Sequence, residues 1–395
     1  MHHQGSILLV VALLFLAGAG CDGSDDEAGA APPPPTPQPE VIPFSLPQGF
    51  SASVFAEDLA LPTSIAFAPD GSGRLFVNEL QTGRIRIVQN GELLAQPFAT
   101  IATNVSGGFP VSGENGLLGL AFDPQFAANG YVYVTYAERV SGGGHLGAVA
   151  RLTANGNRGE AFTVLLDGIP AAPGHQIQSL AFGPDGKLYV SVGDAYLDAQ
   201  AQNLNSPLGK ILRMNPDGSI PDDNPFPGSY TYAYGLRNCF DLAFDADGTL
   251  FTADNGPEIN DEFNRIVAGG NYGWPARLGA HPPVDDLIPP LHTWQQIVSP
   301  DGMAFYRGTQ FPERYRGKLF LVLFGFTAST GPNPLAKRVQ VVDVGDGTAP
   351  PVFEDFAVYT FGGMGNPLDV TEGPDGNLYL ADIFQGKIYR IRYGG

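Results

Sequence analysis

Four carboxylates fall within nine residues, Asp254, Glu258, Asp261 and Glu262, and the glycine and proline turns beside them can aim backbone carbonyls inward. Hard oxygen donors at that density suit Ca2+. The same spacing also fits a solvated acidic loop, and spacing alone leaves the two readings level. Imidazole is the second candidate chemistry, because its ordinary pKa near neutrality lets it take or give a proton. His2 and His3 precede an apolar leader, whereas His145, His175, His281 and His292 lie beyond it. His175 stands eight residues ahead of a Gly-Pro-Asp turn, where a hydrogen-bonded loop histidine is the competing reading.

Positioning such groups falls to a repeat. Six times an apolar strand pattern enters an Asp-Gly type turn and leaves in a second apolar strand, as in TSIAFAPDGSGRLFV from Thr63, QSLAFGPDGKLYVSVGD from Gln178 and LDVTEGPDGNLYLAD from Leu368. The units recur about every sixty residues, the length of a four-stranded propeller blade with its loops. β-branched and aromatic residues after the turn favour antiparallel strands, and Asp-Gly supplies the positive φ of a tight hairpin. The expected fold is therefore all-β, a six-bladed propeller over 46–395. FSASVFAE from Phe50 has no blade of its own, and KIYRIRY from Lys387 ends the last repeat, so the N- and C-terminal strands are expected to share the closing blade.

The chain has 395 residues and a net charge of −19, a surface that disfavours nucleic acid and anionic membrane. Residues 1–21 read as an export signal: an apolar run from Ile7 to Leu16, small residues to Gly20, then Cys21. Small residues before a lone cysteine resemble a lipobox, which implies lipidation at Cys21 and a cell-envelope or periplasmic protein, with plain secretion as the alternative. Residues 22–45, acidic and then proline-rich, lack the means to bury apolar area and read as a disordered tether. Cys239, the other cysteine, reads as a small buried apolar residue.

From about Phe50 to Arg392 the chain resembles the soluble glucose/sorbosone dehydrogenases, six-bladed propellers that bind pyrroloquinoline quinone (PQQ). The marks are ENGLLGLAFDPQF from Glu114, GKILRMNPDGSIPDDNPF from Gly209, YGLRN from Tyr234, NGPEINDEFN from Asn255 and GGNYGWP from Gly269. The resemblance implies that His175 is the general base taking a sugar hydroxyl proton. It implies that Arg237 and Asn238 contact PQQ, that Glu114 faces the active site, and that the carbonyls of Gly256 and Pro257 hold a cofactor-linked Ca2+. Glu262 and the Tyr272 carbonyl would hold a second, structural Ca2+. Where the family carries cofactor-binding basic residues, this chain has Phe326 or a neighbour, Asn366 and Leu368; Leu236 and Gly174 depart from the pattern as well. Lys337, Arg338 or Arg307 would have to compensate.

Three functions follow from these residues. The first is PQQ-dependent oxidation of an aldose or related polyol, a quinoprotein sugar dehydrogenase passing electrons to an unidentified acceptor. The second is a calcium-binding propeller that has lost catalysis and serves as a carbohydrate- or protein-binding module. The third is a calcium-dependent lactonase-like hydrolase.

Overall fold

The computed structural model describes residues 41–105, 113–141, 143–282, 284, 286–325, 336–347, 349–360 and 365–394. Within Glu40–Gly395, the described residues form six antiparallel sheets around one axis. The innermost strands are Pro62–Phe67, Leu117–Phe122, Ile177–Phe182, Cys239–Phe244, Pro300–Phe305 and Pro367–Glu372. Each packs on the next, and the last returns to the first. The repeated turns join each innermost strand to the second strand of its blade.

Both faces of these second strands are buried, which explains their continuous apolar character. In Leu75–Glu79, Leu75 and Val77 pack with Tyr379, Ala381 and Ile388 of the sixth blade. Phe76, between them, turns the other way and joins Leu117, Val132 and Val134 of the second blade. Period-two alternation therefore glues each blade to both neighbours.

The ring closes as the terminal patterns predict: Phe50–Ala56 is the outer strand of the sixth blade, antiparallel to Lys387–Tyr393. Phe50 contacts the rings of Phe311, Tyr315, Phe356 and Tyr393. The expected start of the folded body at residue 46 is corrected by two strand residues. Phe44–Ser45 pairs with the outer strand of the fifth blade, because Phe44 finds an apolar slot against Tyr359 and Tyr389.

Each innermost strand also carries a register irregularity near its start, between Pro62 and Ile65 in the first blade and at the equivalent place in the other five. Such bulges turn two successive residues toward one side. Thr63 with Ser64, Gln178 with Ser179 and Leu368 with Asp369 accordingly line the axial channel together.

Candidate active site

An acid at the exit of the second strand is a recurrent device of this ring. Glu79 accepts the backbone N–H of Ala60, Asp254 those of Arg237 and Asn238, and Asp382 that of Asn366. Each carboxylate thereby ties down the loop that leads into its own innermost strand. In the third blade the acid is Asp194, and it takes a side chain instead: His175 Nδ1 lies 2.8 Å from Asp194 Oδ1. His175 is two residues before its strand, the same place as Ala60 and Arg237 in theirs.

Asp194 also accepts from Tyr196 N–H at 3.0 Å and from the Trp274 indole N–H at 2.9 Å. Burial pushes this carboxyl up, but the hydrogen bond and charge of His175 together with these two donors outweigh it and hold it below its ordinary value. An ionised Asp194 can only accept, so Nδ1 carries a proton and Nε2 is the nitrogen left to exchange one. The backbone of His175 sits at φ 58° and is held by its N–H, which donates to Glu114 Oε2 at 3.1 Å. A Cβ on Gly193 would lie 2.5 Å from the His175 carbonyl oxygen, so glycine is required for this approach. Tyr196, 56% exposed, lays its ring 4.2 Å from the imidazole.

Glu114 joins this dyad to a cavity of about 210 Å3 at the mouth of the axial channel. Phe240, Phe324 and Phe384 supply flat apolar walls, while Asn255, Ser299 and Asp301 supply oxygen. Asn255 Oδ1 is buried with no partner among the described residues. Burial raises the Asp301 carboxyl well above the usual range, and the nearby Glu114 and Asp261 raise it further. Asn238, 3% exposed, meets Gln178 Nε2 with its Oδ1 at 3.4 Å, and Gln178 also donates to Glu114 at 3.0 Å.

Arg237 crosses the Trp274 ring at 5.4 Å and donates through Nη1 to the carbonyls of Asn255 at 2.7 Å and Gly256 at 2.8 Å. Two carbonyls thus converge on the Arg237 guanidinium, and one of them, that of Gly256, is an expected ligand of cofactor-linked calcium. Pro257 and Glu258 are exposed. Asn366 is 2% exposed and donates to the Phe324 carbonyl, which places it behind the cavity wall.

The acidic segment is neither a solvated loop nor one four-carboxylate cage. Glu258 is exposed, and Asp261 accepts the backbone N–H groups of Gly256, Val298 and Ser299. Asp254 and Glu262 face each other across adjacent strands, both buried. Burial raises Asp254 to about 6, and burial plus the Asp254 charge raises Glu262 to about 7. Asn264 Oδ1 and Thr293 Oγ1, beside and opposite Glu262, are buried without partners among the described residues. This oxygen-lined interior fits a hard cation. Tyr272 is buried nearby, its hydroxyl donating to the Arg265 carbonyl at 2.7 Å. Cys239 is buried, as its apolar reading predicts.

Two of the expected compensating cations are elsewhere. Arg307 donates to the Phe244 carbonyl at the far end of the innermost strands, and Arg338 pairs with Asp355 on the fifth blade. Lys337 remains on a segment against Gly325 of the cavity wall. Phe326 and Cys21 lie outside the described residues. Asp194, Trp274, Tyr196 and Asp301 are site residues that the sequence reading missed; for Asp194, the recurring acid after the second strand was the available signal.

Residues 59–390 match the Glucose / Sorbosone dehydrogenase family. The chain is 35% identical over 261 residues to quinoprotein glucose dehydrogenase B of Acinetobacter calcoaceticus, covering 59% of this chain and 54% of that protein. It is 28% identical over 373 residues to aldose sugar dehydrogenase YliI of Escherichia coli, covering 88% and 94%. The structure of PQQ-bound aldose sugar dehydrogenase from Streptomyces coelicolor superposes with a TM-score of 0.70 at 27% identity, covering 88% of this chain and 99% of that one.

Proposed function

Because the chain belongs to the glucose/sorbosone dehydrogenase family, we propose that it is an exported quinoprotein that oxidises an aldose or related polyol with PQQ and Ca2+. The observation that carries this reading is the His175–Asp194 pair, which leaves Nε2 as the candidate base and is tied through the His175 backbone N–H to Glu114 of the cavity wall. Asp194 fixes the tautomer and stabilises the imidazolium that forms when Nε2 takes the proton of the sugar hydroxyl. Glu114 holds the His175 backbone and Gln178, so the base is set against the cavity wall. The phenylalanine walls and the Arg237 fork suit a planar, carboxylated group, although Glu114 and Asp301 also face the cavity and no Lys or Arg is among its described lining residues. Calcium held by the Gly256 and Pro257 carbonyls would offset those acids, with Lys337 supplying further positive charge. PQQ, when bound, supplies the two-electron acceptor for the hydride leaving the sugar carbon. A second calcium at Glu262 and the Tyr272 carbonyl would brace the fourth blade. Lipidation at Cys21 would anchor the protein in the cell envelope.

The test is reconstitution: PQQ and Ca2+ added to metal-stripped protein should give dye reduction with an aldose panel. His175→Gln should lower kcat by about 10^3 or more, with the fold retained. No turnover and no PQQ-dependent absorbance change would reject the reading. Sugar binding without PQQ would favour the binding module, and lactone hydrolysis without PQQ the hydrolase.

A further inference from the structure

The six bulges stack two rings of side chains on the axis. The mouth-side ring is Thr63, Leu118, Gln178, Phe240, Asp301 and Leu368, and the ring beneath it is Ser64, Gly119, Ser179, Asp241, Gly302 and Asp369. The lower ring thus carries two acids among small residues. A Cβ at Gly302 would fall 2.6 Å from Asp369 Oδ1, so glycine makes the room in which this carboxylate sits.

All four carboxylate oxygens accept a backbone N–H. Asp241 Oδ1 takes Leu242 at 2.8 Å and Oδ2 takes Met303 of the next blade at 2.7 Å. Asp369 repeats the pattern with Val370 at 2.8 Å and with Ile65 of the first blade at 2.7 Å. Ser179 Oγ adds a further donor to Asp241 at 2.5 Å. Hydrogen bonds of this kind favour the ionised form. Burial opposes that ionisation and raises both carboxyls, with the Asp241 charge raising Asp369 further; among the described residues, their hydrogen-bond donors are backbone N–H groups and a serine hydroxyl, not a Lys, Arg or His. Two adjacent buried anions without a counter-charge are costly.

A second observation points to what supplies the charge. The axial channel holds a cavity of about 20 Å3 lined by both acids, enough for one ion or one water. Gln178 also lines it and is 1% exposed. Its amide nitrogen is committed to Glu114 and Asn238, which leaves Oε1 buried and without a donor among the described residues. The Gln178 carbonyl oxygen, two carboxylates and the hydroxyl oxygens of Ser64 and Ser179 form an all-oxygen set, the chemistry of a hard cation.

The geometry points to a calcium site on the propeller axis, held by Asp241 and Asp369 with Gln178 Oε1 and the two serine hydroxyls. A divalent ion balances the two carboxylates. The site is distinct from the Asp254–Glu262 pair of the fourth blade and from the mouth, and it does not depend on PQQ. Its charge would also act on Asp301, which already feels Asp241 from the ring above.

Crystals of the full chain grown with saturating CaCl2 and measured at long wavelength test this without any variant. An anomalous peak on the axis between Asp241 and Asp369 is expected; water-level density there without anomalous signal overturns the site and assigns the pair a shared proton. Equilibrium dialysis of EDTA-stripped protein against Ca2+ supplies the second measurement. Asp369→Asn should bind one Ca2+ per chain fewer than wild type, whereas equal stoichiometry overturns the site. If that variant does not fold, the crystal decides.

Discussion

At the scale of single residues, the candidate base is defined less by His175 than by what surrounds it. A histidine with both nitrogens in water would distribute its proton between them, whereas the buried carboxylate of Asp194 confines it to Nδ1. Asp194→Asn should therefore lower kcat by about 10^2 to 10^4 while KM for the sugar changes little, because an amide can present the wrong atom to the ring. Steady-state dye reduction over a sugar series checks the split between the two constants. The pH dependence has a definite sign. The folded-state pKa of Asp194 is depressed, so its contribution to stability is complete above the ordinary carboxylate range and is lost as pH falls through the folded value. Urea midpoints should fall more steeply on acidification below about pH 4 in wild type than in the Asn variant. His175 was legible as a base only through the family likeness of its flanks. Its partner, nineteen residues later, becomes visible only when the strand exits are superposed.

At the scale of elements, one device serves two ends. Glu79, Asp254 and Asp382 fasten entering loops through backbone N–H groups, and Asp194 converts the same fastening into the orientation of a proton acceptor. The fourth blade shows a different specialisation, since Asp254 and Glu262 oppose each other in a buried interior. Like charges directly across a ladder are destabilising, and here burial raises both pKa values, Asp254 to about 6 and Glu262 to about 7. In metal-free protein the folded state holds extra protons above the unfolded values, so stability should decline as pH rises from about 4.5 through 7. Calcium should abolish most of that decline, and Glu262→Gln should reduce it without metal, leaving the part set by buried Asp254. Urea unfolding from pH 4.5 to 8, with Ca2+ or EDTA, reads all three outcomes; a flat metal-free profile would exclude a strained acid pair. The density of acids in this segment was plain in the sequence, but their division into exposed Glu258, backbone-capping Asp261 and an opposed pair follows from strand register.

At the scale of the whole molecule, the ring is held by a clasp made from its two ends. Phe50–Ala56 completes the sixth blade and inserts Phe50 among rings of the fifth and sixth blades, while Asp369 reaches across to Ile65 of the first. Deleting the segment through Ala56 should expose the edge at Lys387–Tyr393 and abolish the cooperative thermal transition. Phe50→Ala should retain the fold but cost about 3 kcal/mol. Calorimetry distinguishes the two results, and a deletion that melts like wild type would remove the clasp from the account. The sequence by itself determined the all-β class, the number of blades and the sharing of the last one, because a hydrophobic period of two and Asp-Gly turns are local properties that survive in one dimension. Tertiary structure alone decided which acids meet: Asp194 with His175, Asp254 with Glu262, and Asp241 with Asp369. Those encounters depend on bulges, strand register and the closure of a circle, and the protonation and cation demand of each carboxylate is set by its burial and its neighbour rather than by its place in the chain.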